Sequence, residues 1–221
     1  MTAVSEKEGR RRVDVVIEHP SPNWDERTSP VSMIVLHFTA LPTFEESLRR
    51  LCDPANQQGR VSAHYLIRED GAVLRLVNEE KRAWHAGAGS WRGITDVNSA
   101  SVGIEIQNIG LDDQGRPEPF PDVQMESVIA LCRDIQRRHV VPARNVVGHG
   151  DTAPRRKIDP GAAFDWKRLA KAGVGIWTDE FLAPEKSMKD MLQDIGYDTS
   201  DIAAAAEAFK RHWCIGLAGV E

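Results

Sequence analysis

The chain holds only three cysteines in 221 residues, Cys52, Cys132 and Cys214. An odd number spread this widely excludes a disulfide framework and the spacing of a Cys-type zinc finger. A reducing compartment is the simplest fit. No apolar run is long enough to cross a bilayer, and the first ten residues contain no apolar core of a signal peptide. The expectation is therefore a cytoplasmic protein without a membrane span, or a periplasmic one if a leader has been removed. Excess positive charge is also missing: the formal net charge is −5, so no basic surface dominates and nucleic acid is not an expected partner. There is no glycine-rich phosphate loop, no dinucleotide fingerprint and no Gly-x-Ser-x-Gly elbow. No internal repeat is present either, and no obligate protein partner is evident.

Strand and helix signals alternate irregularly. Residues 1–12 are polar and read as a flexible tail. Val13–Ile17 reads as a first strand. Val31–Leu36 is apolar on both faces, as expected of a central buried strand, and delivers His37 at its end. Thr43 followed by Glu46 is a capping box, with Glu46 able to reach back to the Thr43 amide. The helix it opens carries Phe44, Leu48 and Leu51 and stops near Pro54. Residues 62–67 and 73–77 pair as a hairpin around Gly71. Residues 101–108 alternate, with Val102, Ile104 and Ile106 on one face and Gly103, Glu105 and Gln107 on the other. Met125, Val128, Ile129, Cys132 and Ile135 recur at helical spacing. Val146 and Val147 form a strand carrying His149, and a further helix starts at Phe164. This pattern predicts an α/β fold, a mixed central β-sheet flanked by helices, over residues 13–172. Composition shifts near Gly173. Two amphipathic stripes follow, the second with Ser200 as N-cap, and predict a small helical module over 173–221, or alternatively a brace packed on the main domain.

The stretch from Val146 to Gly161 presents an imidazole (His149), a cation (Lys157) and a carboxylate (Asp159) that could act together. Two readings stand: a solvated surface loop, or a loop whose His149 and Asp159 converge on one ion. With His37 they make the three protein ligands of a catalytic zinc site, which keeps its fourth position for water. His64 or His85 as a fourth ligand would make the site structural instead. Glu105 sits at mid-strand beside a glycine, where a carboxylate costs desolvation unless something uses it. Its expected role is general base, with Lys157 stabilising an oxyanion. Trp84, His85, Ala86, Trp91, Arg92 and Asn98 lie in one glycine-containing stretch that suits a ligand surface, though tryptophans packed over a core edge give the same pattern.

Five segments match, in order, those of a known family: Ile34–His37, Val61–Ile67, Trp84–Gly87, Ser101–Glu105, and Gly148-His149 with Lys157–Gly161. Over residues 13–170 the chain resembles the zinc-dependent N-acetylmuramoyl-L-alanine amidases of the type 2 family. Phage-type members carry Tyr where this chain has Ala63 and Cys where it has Asp159, so it resembles instead the bacterial cell-wall recycling branch. The resemblance implies zinc (Zn2+) held by His37, His149 and Asp159, Glu105 as base and Lys157 as transition-state stabiliser. The implied substrates are peptidoglycan fragments, anhydro-muropeptides in particular, cut between N-acetylmuramic acid and L-alanine. The segment from Met191 to Trp213 resembles a peptidoglycan-binding module, with Lys210 where Gln is usual. Two alternatives are a muropeptide sensor that binds without cutting, and a zinc peptidase acting within the stem peptide.

Overall fold

The structure is a computed structural model describing residues 16–57, 59–180 and 183–214. The polar tail, residues 13–15 of the first strand and residues 215–221 lie outside the described residues. In chain order the elements are β1 (Val16–Glu18), β2 (Trp24–Glu26), β3 (Met33–Phe38), α1 (Phe44–Cys52), β4 (Tyr65–Ile67), β5 (Val73–Arg75), β6 (Lys81–Ala83), α2 (Val97–Ala100), β7 (Ser101–Ile106), α3 (Asp122–His139), β8 (Val146–Gly148), α4 (His149–Thr152), α5 (Trp166–Lys171), α6 (Met188–Ile195) and α7 (Ile202–Trp213).

Six strands form one sheet in the order β1-β5-β4-β7-β3-β8, and β2 pairs with β6 in a separate ribbon. β4, β7, β3 and β8 run parallel, while β5 is antiparallel to β4 and β1 is parallel to β5. The sheet is therefore mixed, and helices cover both of its faces. On one face Ile34, Leu36, Val102, Ile104 and Ile106 pack with Met125, Val128, Leu131 and Ile135 of α3, and with Phe164 and Leu169. On the other, Met33, Val35 and Val147 pack with Trp91 and with Leu192, Tyr197, Ala205 and Ala208 from the C-terminal helices and the turn between them. Alternation along β3 and β7 thus sends one set of side chains into the α3 layer. The other set, which includes His37 and Glu105, goes to the opposite face.

Several elements differ in detail from the sequence expectation. The N-cap of α7 is Asp201, whose carboxylate accepts from the Ala204 amide, and not Ser200. Thr43 caps α1 by accepting from the Glu46 amide, but Glu46 answers at the Thr43 hydroxyl rather than at its amide. β2, β6 and α2 gave no sequence signal: their residues are short, polar or charged and alternate in no fixed period.

Candidate metal centre

His37 and Glu105 are register partners on adjacent parallel strands, so their side chains leave the sheet together. Leu36 pairs with Gly148 on the other side of β3, which brings His149 to the same strand ends as the first residue of a one-turn helix. The loop after α4 folds back because two glycines let it approach. A β-carbon on Gly148 would lie 2.6 Å from Pro160, and one on Gly150 would lie 3.3 Å from the Asp159 carbonyl, to which the Gly150 amide donates at 2.7 Å. This closure carries Asp159 beneath the two imidazoles. His37 Nδ1, His149 Nδ1 and Asp159 Oδ2 stand 3.0, 3.0 and 3.1 Å apart, all buried. Among the described residues, these are the three His, Cys or acidic side chains grouped closely enough to hold a metal ion.

Hydrogen bonds behind the rings fix where the protons sit. The carbonyl of Ala86 can only accept, so His149 Nε2 donates to it at 2.9 Å and His149 Nδ1 is bare. The Ser101 hydroxyl donates to the Val97 carbonyl and therefore accepts from His85 Nε2 at 3.1 Å. His85 Nδ1 is then an acceptor for His37 Nε2 at 3.0 Å, which leaves His37 Nδ1 bare too. Burial, then the neighbouring His149, pushes the His37 pKa down to about 4, so the ring is neutral near pH 7. Two bare nitrogens and one carboxylate oxygen converge on a point, with imidazole N–H groups tied to second partners as metal-bound histidines require. Tetrahedral zinc, with bonds of roughly 2.0–2.2 Å, spaces its ligand atoms by about 3.3 Å. The residues fit the ion.

Glu105 faces the same cavity, of about 660 Å³, lined also by His37, His85, His149, Lys157 and Asp159. Its Oε2 is shielded from solvent and has no hydrogen-bond partner among the described residues. Burial, then the nearby Asp159 charge, raises its pKa well above the usual range, while Lys157 opposes the shift. His64, the other imidazole that threatened to close the site, is held elsewhere. Its Nδ1 accepts from the Gly103 amide at 2.9 Å and its Nε2 lies 2.9 Å from the Arg27 guanidinium.

Of the stretch expected to bind ligand, only His85 lines this cavity. Asn98 Oδ1 accepts from the amides of His85 and Ala86 at 3.1 and 2.8 Å, clamping the backbone that orients both imidazoles. Trp91 is 1% exposed and packs edge-on against Tyr197. Arg92 donates to the carbonyls of Asp194 and Ile195 at the end of α6. Trp84 lies under the Arg60 guanidinium. Sequence reasoning passed over Arg50 and Arg156, two cations that line the cleft. The run Arg155-Arg156-Lys157 was a usable signal for the second; α1 offers none for the first.

A sequence profile of the N-acetylmuramoyl-L-alanine amidase family matches residues 27–162. The chain belongs to that family. The N-acetylmuramoyl-L-alanine amidase AmiD of Escherichia coli is 40% identical over 159 residues, which cover 67% of this chain and 55% of AmiD, so the chain spans about half of that relative. The structure of AmiD in complex with the substrate anhydro-N-acetylmuramic acid-L-Ala-D-γ-Glu-L-Lys superposes with a TM-score of 0.74 at 32% identity, covering 86% of this chain and 84% of that one. The 1,6-anhydro-N-acetylmuramyl-L-alanine amidase AmpD of Haemophilus influenzae is 35% identical over 165 residues, covering 67% of this chain and 86% of AmpD. AmpDh3 of Pseudomonas aeruginosa superposes with a TM-score of 0.74 at 29% identity, over 97% of this chain and 90% of its own. Among the described residues, no helix is long and apolar enough to cross a membrane.

Proposed function

We propose that this chain is a zinc-dependent amidase that hydrolyses the bond between N-acetylmuramic acid, in its 1,6-anhydro form, and the L-alanine of the stem peptide. The observation that carries this reading is the convergence of His37 Nδ1, His149 Nδ1 and Asp159 Oδ2 in a cleft shared with the unpartnered Glu105 Oε2. His37, His149 and Asp159 would hold the zinc, which when bound supplies Lewis acidity, lowering the pKa of water and polarising a carbonyl. Glu105 takes a proton from the attacking water at Oε2, its raised pKa making it both a base and then a competent acid. It hands that proton to the amide nitrogen as the C–N bond breaks. Lys157 sets a positive charge against the oxygen that becomes negative at the tetrahedral carbon. The AmiD complex with anhydro-N-acetylmuramic acid-L-Ala-D-γ-Glu-L-Lys supports an anhydro-muropeptide as substrate, and recycling in the cytoplasm is the setting proposed with it.

The test is incubation of zinc-loaded protein with anhydro-muropeptide, followed by mass spectrometry. The expected products are anhydro-N-acetylmuramic acid and a stem peptide with a free L-alanine amine. Glu105→Gln is expected to slow this by about 10²–10⁴-fold with zinc retained. Uncut muropeptide that remains bound would mark a sensor, and a new amine inside the stem would mark a peptidase. Comparison of turnover on anhydro-muropeptide and on intact sacculi separates recycling from wall cleavage.

A further inference from the structure

A second buried carboxylate lies two residues beyond His149, and the chemistry proposed above does not use it. Asp151 is 3% exposed, on the one-turn helix α4. Its Oδ2 accepts from the Gly148 amide at 2.7 Å, so it grips the backbone immediately before His149. Its other partners come from the C-terminal segment: Tyr197, in the turn between α6 and α7, donates its hydroxyl to Oδ1 at 2.6 Å, and His212 of α7 donates from Nδ1 to Oδ2 at 2.7 Å. Both donors are themselves held rigidly. The His212 ring stacks on Trp166 and on Trp213, with centroids 3.8 and 4.3 Å apart. Tyr197 meets Trp91 edge-on at 5.1 Å, and its amide donates to the Leu192 carbonyl.

We infer that Tyr197 and His212 are positioning residues for the metal centre: the C-terminal helices lock Asp151, and Asp151 sets the turn that presents His149. A four-residue helix has too few internal hydrogen bonds to hold its own orientation. A buried carboxylate stripped of two of its three donors is costly and turns toward water. As it turns it releases Gly148, and the turn that aims His149 Nδ1 at His37 and Asp159 loosens. The helices after Gly173 thereby become part of the site's support, 46 and 61 residues along the chain from the carboxylate they hold.

This inference rests on the zinc reading for one of its two readouts and stands free of it in the other. Zinc affinity by chelator competition, with the visible spectrum of the cobalt-substituted protein, is compared among wild type, Tyr197→Phe, His212→Ala, the double variant and His212→Asn. Asn places an amide donor where Nδ1 was. The expected result is a zinc Kd raised about tenfold in the double variant with a changed cobalt spectrum, and near-wild-type values in His212→Asn. Amide hydrogen exchange at residues 148–152 of the metal-free protein is expected to rise in the same variants and to recover in His212→Asn. A folded double variant with wild-type zinc Kd and unchanged exchange overturns the clamp. Wild type that binds no zinc, with exchange that still rises in the variants, overturns the metal reading and leaves the clamp standing. If the double variant does not fold, Tyr197→Phe, which deletes a single oxygen, carries the same comparison.

Discussion

The ring of His85 occupies the space that a side chain on Gly103 would need: a β-carbon there would lie 2.4 Å from the imidazole. Gly103 thus admits the ring that accepts the His37 N–H, from the same strand face that carries Glu105.

Gly103→Ala is therefore expected to push His85 away and free the His37 ring to turn. Overpacking of this kind costs about 1–3 kcal/mol in stability, and zinc affinity should fall by about tenfold or more as the outer partner is lost. Thermal melts and chelator competition read the two effects separately. Unchanged zinc affinity would mean that His85 does not orient His37.

Removal of the metal is expected to abolish turnover and to lower Tm, because an ion bound only by the folded state stabilises it by mass action. Dialysis against a chelator followed by stoichiometric zinc should restore both. His37→Ala, His149→Ala and Asp159→Ala should each fail to recover at that concentration. Full activity in exhaustively demetallated protein would contradict the reading.

Acid is expected to destabilise the fold in two windows. Burial pushes the His64 pKa from 6.5 down to about 4. Between those pH values the unfolded chain binds a proton that the folded chain refuses, so stability falls as pH drops from 6.5 to 4. Burial tends to raise the pKa of Glu79, but hydrogen bonds from Arg138, Tyr65 and His139 take it from 4.5 to about 2, so its contribution is lost as pH falls from 4.5 towards 2. The His64 and Glu79 shifts are each worth about 3 kcal/mol. Urea midpoints measured from pH 7 to 3 check both, and Glu79→Gln should flatten only the lower one.

Trp91→Phe should lower stability without changing the KM for muropeptide, because the indole is buried against Tyr197 and lies outside the cleft. A raised KM at unchanged Tm would return Trp91 to the ligand surface.

Strands β3 and β7 and helix α3 were legible because burial writes period into sequence: continuous apolar residues, alternation, and three-to-four spacing. The triad His37, His149 and Asp159 was legible because each sits where a strand or loop signal ends, in an order that a family shares. The roles of His85, Ala86 and Asn98 were not. Their polar atoms bond to β3, to β7, to His149 and to one another, and nothing in local sequence separates that from facing a ligand. Asp151 was invisible for a related reason: its donors, Tyr197 and His212, are supplied from far along the chain. Ser200 and Asp201 are both acceptable caps, and the Asp201 carboxylate, which accepts from the Ala204 amide, decides between them.

The candidate ligands His37 and His149 are separated by 112 residues, and His37 and Asp159 by 122. Closing such loops costs chain entropy that only the formed long-range contacts repay. A partly folded chain therefore has no pocket for an ion to capture. Any metal bound there discriminates sharply between finished and unfinished molecules, lending its free energy to global integrity and none to intermediates.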